Sequence, residues 1–391
     1  FFFKIIFYIS QFMKILFLLG DAKYVITHRL SLMMFLKEKG YHVTIVCPQS
    51  PLVDDLQTLG LTVIPLDFDR GGMNIIKDMK AIKALCCLMR THTPHILHAV
   101  AMKPTLNGLL ATYFSFKKNI SFVATWGGLG FLFISKKKSI QLIQFFLIKV
   151  FNFLFKRTKG HLILQNNDDQ TLLKQKGLTV KTSLIRGSGV NPLVYSLTPE
   201  PPVPLSGPVV VYVGRLLKDK GLGEWIEAIK LLKQKGVRAT YHIYGDLDQK
   251  NPASFELHHL KTWEKEGLIQ WHGHTQDPSK AYAQAHIVVL PSYREGLPKS
   301  LLEAGAMGRA LIATDVPGCR DIVHHTITGL LVPVYSVKPL ADAMETLIYQ
   351  KELREQLGTN VHNHVISQFS DVFIHDQHHV LYQNLYASKN I

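Results

Sequence analysis

Short apolar runs alternate with helix-like patterns along both halves of the chain. In the first half the runs that predict strands are MKILFLLG (13–20), HVTIVCP (42–48), LTVIPLDF (61–68), PHILHAV (94–100) and NISFVATW (119–126). In the second half they are VVVYVG (209–214), ATYHIYG (239–245), IQWHG (269–273), IVVLPS (287–292), ALIATD (310–315) and GLLVP (329–333). Alternation of strands and helices is typical of parallel sheets covered on both faces. We therefore expect an α/β fold with two doubly wound, Rossmann-like domains that face a deep cleft.

The two halves are joined by a segment with little regular pattern. Residues 191–208, NPLVYSLTPEPPVPLSGP, contain six prolines, and proline-rich stretches of this kind often connect domains. A length of 391 residues also exceeds what one core usually holds. We predict an N-terminal domain over 13–190, a linker over 191–208 and a C-terminal domain over 209–369. A last helix over 370–391 is expected to pack back on the N-terminal domain.

Composition indicates a packed globular protein with an uneven charge. Hydrophobic residues make up 47% of the chain and charged residues 19%, which excludes a disordered protein. Of the net charge of +15, residues 1–190 contribute 25 Lys/Arg against 9 Asp/Glu, whereas residues 191–391 hold 19 against 20. No acidic residue occurs from Met79 to Asn167, a stretch with 13 Lys/Arg. This one-sided charge predicts an anionic partner for the N-terminal half, either nucleic acid or an anionic membrane.

The first residues do not fit the pattern of the rest. The chain starts at Phe1, and a clean strand begins only at Met13. We expect natural translation to begin at Met13 and residues 1–12 to lie outside the natural protein. The alternative is a membrane segment over 1–20, which would place Lys4 and Lys14 inside the span and use up the first core strand.

A basic and apolar segment, SKKKSIQLIQFFLIKVFNFLFKRTK (135–159), carries seven Lys/Arg and no acid. On a helix, Gln141, Gln144, Lys149 and Asn152 fall on one side and leave a wide apolar face. Cations that flank an apolar middle are typical of a helix lying in an anionic membrane interface, although a core helix with solvated ends has the same pattern. Nucleic-acid binding would need exposed aromatic residues between the cations, so we predict a membrane partner and no nucleic acid. The four cysteines lack C-x-x-C or metal-type spacing, so we expect reduced thiols and a cytoplasmic protein. Together with the membrane partner, this predicts a protein at the inner face of the cell membrane.

Two glutamates bracket a strand-to-helix turn in PSYREGLPKSLLEAGAMG (291–308). Glu295 precedes the turn, and Pro298 suits the first turn of the helix that follows. Backbone amides at a helix start have no intrahelical acceptor and can bind phosphate. Glu303 lies about 7.5 Å from Pro298 along the helix axis. At that distance from a bound diphosphate, its carboxylate can accept hydrogen bonds from the ribose hydroxyls of a nucleotide. A helix cap and an exposed helical acid would give the same spacing. The candidate donor-binding residues of this turn are Gly296, Leu297, Pro298 and Lys299.

A basic cluster follows the first strand of the C-terminal domain. After Gly214 the sequence reads RLLKDKG, which puts Arg215 and Lys220 at the carboxyl end of that strand. Fixed cations there can neutralise a departing diphosphate without a metal ion. The nearby GDLD (245–248) resembles a D-x-D metal motif, but the two cations already supply the charge that a metal would bring. We therefore predict no metal, and we assign Gly245 to close approach of the nucleotide.

The N-terminal domain offers a glycine turn and polar residues at predicted strand ends. Gly20 ends the first strand before a loop that leads to a helix, without a full G-x-G-x-x-G dinucleotide motif. His98 is expected to end the fourth strand, although a single histidine there is often a structural hydrogen-bonding group. The candidate acceptor contacts are His28, His98, Lys103, Gly127 and Gly128.

Together these motifs resemble the family 4 retaining glycosyltransferases of GT-B fold. The resemblance rests on GRLLKDKG, YGD, PSYREGLPKSLLEAGAMGRALIATDVPGCRDIV and GLLVP in this order, and it spans nearly the whole chain from Met13. HRLSL, HAVAMKPTLNG and TWGGLG are similar to bacterial members that extend undecaprenyl-diphosphate-linked sugars for surface glycans. The resemblance implies an N-terminal acceptor domain and a C-terminal nucleotide-sugar domain. It also implies transfer of an N-acetylated hexosamine or a hexose from a UDP-linked donor to a lipid-diphosphate-linked sugar.

Residue roles follow from the same resemblance. Glu295 and Glu303 match the two ends of the family's E-x7-E motif, of which the first acid contacts the transferred sugar and the second the ribose. Arg215 and Lys220 match the cations on the donor diphosphate, and Gly20 matches the glycine loop that faces it. The catalytic residues implied are therefore Glu295, Arg215 and Lys220. Transfer in the family retains the anomeric configuration and needs no metal or other cofactor, with front-side attack assisted by the leaving phosphate.

The loop after the fifth strand departs from the family pattern. Many relatives carry a histidine there, near the donor sugar, where this chain reads Trp126-Gly127-Gly128. The role of that histidine is therefore not transferred to this chain.

Other functions fit parts of the pattern. A retaining glycosidase also uses two carboxylates, about 5–5.5 Å apart, but it would not need the cations of the RLLKDKG stretch. A nucleotide-sugar epimerase of the same fold would need acid and base groups at the sugar from both domains. A binding protein without catalysis would tolerate loss of Glu295, and a transferase for a soluble acceptor would need no membrane-facing helix.

Overall fold

The computed structural model describes residues 13–68, 74–115, 119–129, 132–133, 135, 137–248 and 251–390. The expectations for residues 1–12 therefore lie outside the described residues. The chain divides into two compact units. The first contains the chain up to Ser188 together with the last helix from Ile374, and the second is Gly189–Phe373.

Parallel strands form the sheet of the first unit, in the order β3-β2-β1-β4-β5-β6-β7. They are β1 (Lys14–Leu18), β2 (His42–Cys47), β3 (Thr62–Pro65), β4 (Ile96–Val100), β5 (Ser121–Trp126), β6 (His161–Leu164) and β7 (Lys181–Leu184). Successive residues of β1 enter different cores, since Leu16 and Leu18 pack on one face of the sheet and Ile15 and Phe17 on the other. Burial on both faces explains why central strands such as β1, β4 and β5 appear in the sequence as mainly apolar runs.

Helices cover both faces of this sheet. A short helical turn at Ala22–Tyr24 continues through a π-helical segment at Val25–Arg29 into α1. The helices are α1 (Leu30–Glu38), α2 (Leu52–Thr58), α3 (Ile75–His92), α4 (Met102–Phe114), α5 (Lys138–Thr158) and α6 (Asn167–Gln175). The last helix of the chain, α14 (Asp371–Asn390), also packs here from Ile374 onward.

The second unit repeats the architecture with the order β10-β9-β8-β11-β12-β13. Its parallel strands are β8 (Val209–Val213), β9 (Thr240–Tyr244), β10 (Gln270–Trp271), β11 (Ile287–Leu290), β12 (Ala310–Thr314) and β13 (Leu330–Val332). Its helices are α7 (Leu222–Gln234), α8 (Leu257–Lys265), α9 (Pro278–Gln284), α10 (Lys299–Ala306), α11 (Cys319–Ile322), α12 (Val337–Tyr349) and α13 (Lys351–Phe369). The prediction of an α/β protein with two parallel-sheet domains is confirmed.

The proline-rich segment predicted as the linker is held on the second unit by two buried arginines. Arg354 is 2% exposed and binds both carboxylate oxygens of Glu200, at 2.7 and 3.1 Å. Arg309 is 1% exposed and donates to the carbonyl oxygens of Thr198 at 2.5 Å and Pro199 at 3.1 Å. Breaking a buried, bidentate pair of this kind is costly. Residues 198–200 are therefore fixed to the second unit.

Each sheet reverses its strand order at one point, and the candidate residues gather there. In the first unit the reversal lies between β1 and β4, and in the second between β8 and β11. Ligands of open parallel sheets bind beyond the carboxyl ends of the strands at such a reversal. Gly20 follows β1 at one of these points, and Arg215 and Glu295 follow β8 and β11 at the other.

Candidate active site

The second unit brings the RLLKDKG stretch and the PSYREGLPKS stretch together beyond the ends of β8 and β11. The two loops are tied by their backbones, because the amide of Tyr293 donates to the carbonyl oxygen of Asp219 at 2.9 Å. The hydroxyl of Tyr293 also binds both carboxylate oxygens of Glu224, at 2.7 and 2.8 Å. Tyr293 therefore anchors the loop that carries Glu295 to the start of α7.

Lys220 and Glu295 form the closest charged contact of this site. The Lys220 Nζ lies 2.5 Å from the Glu295 Oε1, and the side chains are only 16% and 12% exposed. Lys220 closes a 3₁₀ turn, Lys218–Lys220, and Gly221 follows with φ +70°. A Cβ atom at Gly221 would collide with the carbonyl oxygen of Pro291. Glycine at 221 thus allows the turn to lie against the end of β11, which puts the ammonium group beside Glu295.

The loop that carries Glu295 packs against the end of β12 and the residues that follow it. Gly318 has φ +79°, and a Cβ atom there would collide with the carbonyl oxygen of Gly296. The hydroxyl of Thr314 donates to the carbonyl oxygen of Ser292. Sequence reasoning did not assign Gly318, although its place in DVPGC, soon after a predicted strand, is a glycine signal.

Helix α10 starts one residue later than predicted. Pro298 is its N-cap residue, in extended conformation, and the first helical residue is Lys299. The first-turn amides of any helix have no acceptor within the helix. At α10 no side chain makes a capping hydrogen bond to them. Phosphate binding by this turn stays a prediction, and the prediction that Pro298 lies inside the helix is wrong. A proline with ψ 118° leaves the helical region of backbone space.

Glu303 is buried in a small polar cluster on α10. Its Oε2 accepts a hydrogen bond from the hydroxyl of Tyr282 at 3.1 Å, and its Oε1 lies 3.5 Å from the Lys299 Nζ. Burial raises the pKa of the Glu303 carboxyl, while Lys299 and the hydrogen bonds from Tyr282 and Tyr195 lower it. Tyr282 and Tyr195 come from α9 and the proline-rich segment, and sequence reasoning missed both.

Arg215 is the exposed cation of the site. Its side chain is 64% exposed, and its guanidinium lies 4.0 Å from the Asp248 carboxylate. The Tyr212 hydroxyl donates to the Arg215 carbonyl oxygen at 2.9 Å and fixes the backbone. Gly245 has a packing role, because a Cβ atom there would collide with the carbonyl oxygen of Gly214. Within the described part of the chain no group of three or more His, Cys, Asp or Glu residues is arranged to hold a metal ion.

His98, a predicted acceptor contact, is not accessible in the first unit. The prediction that it ends its strand is wrong, since β4 continues to Val100 and His98 is 0% exposed. Its Nδ1 lies 2.6 Å from the Tyr382 hydroxyl and its Nε2 2.7 Å from the Thr125 hydroxyl. Both ring nitrogens are thus occupied, and burial lowers the pKa of His98 well below its usual range. His98 is the structural hydrogen-bonding group that was the alternative.

The other candidates of the first unit differ in accessibility. Lys103 lies 3.2 Å from the Asp78 carboxylate, which compensates its charge. His28 is partly exposed and stacks on Tyr24 with ring centroids 4.4 Å apart. Gly128 has open space where a Cβ atom would lie. Gly127 has only ordinary van der Waals neighbours there.

Trp126, which stands where many relatives are expected to carry a histidine, points into the core. It is 1% exposed, and its Nε1 donates to the Thr105 hydroxyl at 3.0 Å. Phe133 and Phe151 pack around its ring. Trp126 therefore takes no part in a polar site.

Helix α5 differs from its predicted orientation. Gln144, expected on the polar side, is 2% exposed and donates to the carbonyl oxygens of Leu132 and Ser135 at 2.6 and 3.1 Å. The side facing the core carries Ile148, Phe151 and Phe155, among others. The opposite side is also apolar, with large exposed residues at Leu142, Ile143, Phe145, Phe146, Val150 and Phe153.

Comparisons with known proteins identify the family of the chain. The model of the glycosyl transferase 4-like family matches residues 14–166, and that of the glycosyl transferases group 1 matches residues 198–364. The chain is 26% identical over 359 residues to an N,N'-diacetylbacillosaminyl-diphospho-undecaprenol α-1,3-N-acetylgalactosaminyltransferase of Campylobacter jejuni, covering 89% of this chain and 93% of that protein.

A second relative acts on a similar lipid-linked sugar. It is the UDP-Gal:α-D-GlcNAc-diphosphoundecaprenol α-1,3-galactosyltransferase of Escherichia coli, 23% identical over 380 residues, covering 92% of this chain and 94% of that protein. Among solved structures, a glycosyltransferase of Rickettsia africae superposes with a TM-score of 0.79 at 20% identity. That match covers 95% of this chain and 98% of the other.

Proposed function

Because the chain is a glycosyltransferase of the GT-B fold, with a 4-like domain followed by a group 1 domain, we propose that it transfers a sugar to a lipid-diphosphate-linked acceptor. The donor is a nucleotide sugar, which we take to be UDP-linked, carrying an N-acetylated hexosamine or a hexose. The product serves bacterial surface glycan assembly. The lipid-linked relatives from Campylobacter and Escherichia support this assignment, since this chain covers most of their length.

The observation that carries the proposal is the combination of cations and helix amides at the strand reversal of the second unit. Lys220 and Arg215 lie at the end of β8, next to the uncapped start of α10. A diphosphate bound between them receives two charges and several amide hydrogen bonds. Glu303, further along α10, accepts from the ribose hydroxyls, and Glu295 contacts the transferred sugar.

We propose a retaining reaction without a metal ion. The acceptor hydroxyl attacks the anomeric carbon from the side of the leaving group, and the bond to the diphosphate oxygen breaks. The proton of the hydroxyl passes to that departing oxygen, whose charge Lys220 and Arg215 stabilise. These cations replace the charge that a divalent metal supplies in other transferases. Glu295 positions the sugar and takes no proton in this scheme.

We also propose that the protein lies on an anionic membrane surface through residues 135–159, at the inner face of the cell membrane. Among the described residues, α5 is one helix whose length and composition would allow it to cross a membrane. However, Ile148, Phe151 and Phe155 on one side of it pack in the core of the first unit. A helix attached in this way and apolar on its outer side suits the interface between water and lipid.

The proposal is tested by sugar transfer from a panel of nucleotide sugars to an undecaprenyl-diphosphate-linked sugar, with and without a chelator. We expect transfer from UDP-sugars, unchanged by the chelator, and a product whose anomeric signal in NMR matches the donor. Hydrolysis or epimerisation without transfer would contradict the proposal. Loss of activity with chelator, or an inverted product, would contradict the metal-free or retaining part alone.

The membrane surface is tested with a matched pair of double variants. Phe145→Ser with Phe146→Ser removes side chains that are 54% and 59% exposed, and we expect vesicle binding to fall about 30-fold, since each phenylalanine contributes about 1 kcal/mol when half its surface leaves water. Leu59→Ser with Val380→Ser removes apolar side chains of similar exposure, 47% and 53%, elsewhere on the same unit. Equal losses in the two double variants would contradict the role of α5.

A further inference from the structure

The first unit has a basic cavity at the edge opposite the candidate acceptor loops. Its volume is about 390 Å³, and it lies where β6 and β7 begin, between the last turn of α5 and the end of α14. The charged or polar side chains that matter are those of Lys156, Lys159, His161 and Lys181, all of which line it.

The charge of this cavity is not balanced by the chain. The three lysines form no ion pair with a described carboxylate, and their side chains are exposed. The cavity walls come from residues 152–161, 179–181 and 385–388. These segments lie in the stretches 79–167, 170–199 and 377–391, which contain no Asp or Glu. A cavity with three cations and no acid among the described residues of its walls has a positive potential, which an anion relieves.

His161 adds a buried polar group without a partner. The side chain is 3% exposed, and its Nε2 lies 2.7 Å from the Ser183 hydroxyl. Its Nδ1 has no hydrogen-bond partner among the described residues. Burial, and then the charge of Lys181, lower the pKa of His161 to about 4, so the ring is neutral near pH 7. When the Ser183 hydroxyl donates to Nε2, the Nδ1 carries the proton, so the cavity wall holds a buried donor without an acceptor.

Lys159 occupies a backbone position that does not favour lysine. It ends α5 in the left-handed conformation, with φ 50° and ψ 39°, a position where glycine is the usual residue. Glycine stands at the next position, Gly160. A lysine at 159 therefore lowers local stability relative to glycine, and it adds a cation to the cavity rim.

We propose that this cavity binds a phosphate group, with Lys156, Lys159 and Lys181 on its charge and the unpartnered His161 ring in its wall. The phosphate is either the headgroup of an anionic phospholipid or a free phosphate. The site itself stands on these residues. Only the lipid as its source rests on the proposed membrane contact of α5, whose last turn forms one wall.

The test compares two double variants of the full chain that lose the same charge. Lys159→Gly with Lys181→Gln removes two cavity cations, and the glycine relieves the left-handed strain, so the melting temperature does not fall on that account. Lys39→Gln with Lys174→Gln removes two exposed lysines of the same unit outside the cavity. Each protein is mixed with phosphatidylcholine vesicles with or without phosphatidylglycerol, and separately with inorganic phosphate. Labelled histidine NMR follows the His161 ring, assigned with His161→Gln.

For a lipid headgroup, we expect the cavity variant to bind phosphatidylglycerol vesicles about 30-fold more weakly, or five- to sixfold for each lysine. The control variant should change at most a few fold. For a free phosphate, inorganic phosphate shifts the His161 signal in the natural chain but not in the cavity variant, and the vesicles make no difference. Equal losses in both variants, or neither response in the natural chain, would overturn the proposal. UDP binding is measured on the same samples, so that its failure counts against the proposed function and not against this cavity.

Discussion

The ion pair between Lys220 and Glu295 predicts opposite effects on nucleotide binding when its two members are changed. In the absence of donor, the ammonium group is held by the carboxylate at 2.5 Å. In the proposed site, Lys220 contacts the diphosphate and Glu295 the sugar, so UDP, which has no sugar, would use Lys220 and gain nothing from Glu295. Glu295→Gln should therefore free Lys220 and strengthen UDP binding, whereas Lys220→Met should weaken it. Both variants should lose sugar transfer.

The size of the effect follows from the contact. A hydrogen bond to a charged group contributes about 1.5–3 kcal/mol net, and the pair is largely shielded from water, with side chains 16% and 12% exposed. Lysine has three donors and can keep part of its contact with Glu295. We therefore expect UDP to bind about five- to tenfold more tightly to Glu295→Gln, a change of about 1–1.4 kcal/mol, just below the range for one charged hydrogen bond. Lys220→Met loses the whole contact, which corresponds to about 10–100-fold weaker binding.

Isothermal titration calorimetry with UDP at fixed ionic strength measures both changes. Lys230 and Glu227 form an exposed pair at 2.8 Å on α7, and Lys230→Met and Glu227→Gln repeat the same charge changes in the same unit. These controls should leave UDP affinity within about twofold. Weaker UDP binding by Glu295→Gln would refute the competition between carboxylate and diphosphate. Unchanged binding by Lys220→Met would refute the assignment of Lys220 to the diphosphate.

Three further predictions address the support of the site and the stability of the first unit. Tyr282→Phe removes the hydroxyl that donates to Glu303 at 3.1 Å. UDP binding should weaken about fivefold, and binding of 2′-deoxy-UDP should weaken less. An equal loss for both nucleotides would argue against ribose recognition by Glu303. Gly221→Ala forces a left-handed alanine against a carbonyl oxygen and should lower the free energy of unfolding by about 2 kcal/mol or more. Gly223→Ala, in the first turn of α7, meets open space and should raise the free energy of unfolding by about 0.5–1 kcal/mol. Chemical denaturation measures both changes, and changes of equal sign would contradict the close approach at Gly221. Burial, opposed by Asp376, lowers the pKa of His375 from 6.5 to about 4. As the pH falls, the unfolded chain therefore takes up the proton before the folded chain, and the free energy of unfolding should fall between pH 6.5 and 4, by about 1–2 kcal/mol at pH 5. His375→Gln should flatten this pH dependence, and an unchanged slope would contradict the assignment.

The sequence predicted the central strands of both sheets because those strands are buried on both faces. It did not predict β6, which has only four residues, or β7, whose sequence KTSL is polar and lies at the edge of the sheet. Val209, Val210, Val211 and Tyr212 of β8 are all buried, and such a run has few alternatives in an α/β protein. The same burial hides the strand order, since every central strand has the same apolar appearance. That Arg215 and Glu295 follow neighbouring strands emerged only from the order β8-β11.

The partners of Glu303 were beyond the reach of spacing arguments. Tyr282 lies on α9 and Tyr195 in the proline-rich segment, far from Glu303 in the sequence. A tyrosine on the buried side of a short helix usually reads as core packing, and its hydroxyl finds its acceptor only when the helix is placed. The resemblance to known transferases supplied the acid at 303 but not the groups that hold it.

Helix α5 shows how a periodicity argument fails when nearly every side is apolar. Its few polar residues suggested a solvated side, yet Gln144 is buried because the chain around Leu132 and Ser135 offers carbonyl oxygens to its amide. The side left in solvent carries Phe145 and Phe146 instead. Sequence can report that such a helix has two apolar sides, but which of them meets the core depends on the residues packed beneath it.

The loops of the candidate site are positioned largely by contacts between main chains. Gly221 lets its turn lie against the end of β11, Gly245 lies against the loop after β8, and Gly318 supports the loop that carries Glu295. In each case a Cβ atom would collide with a carbonyl oxygen, so the geometry depends on glycine and not on a side chain that a ligand could displace. The same backbone carries the charged side chains, with Glu295 paired with Lys220 and Arg215 at 4.0 Å from Asp248. On such a backbone, the ammonium group of Lys220 can change its partner from the Glu295 carboxylate to a diphosphate without movement of the main chain.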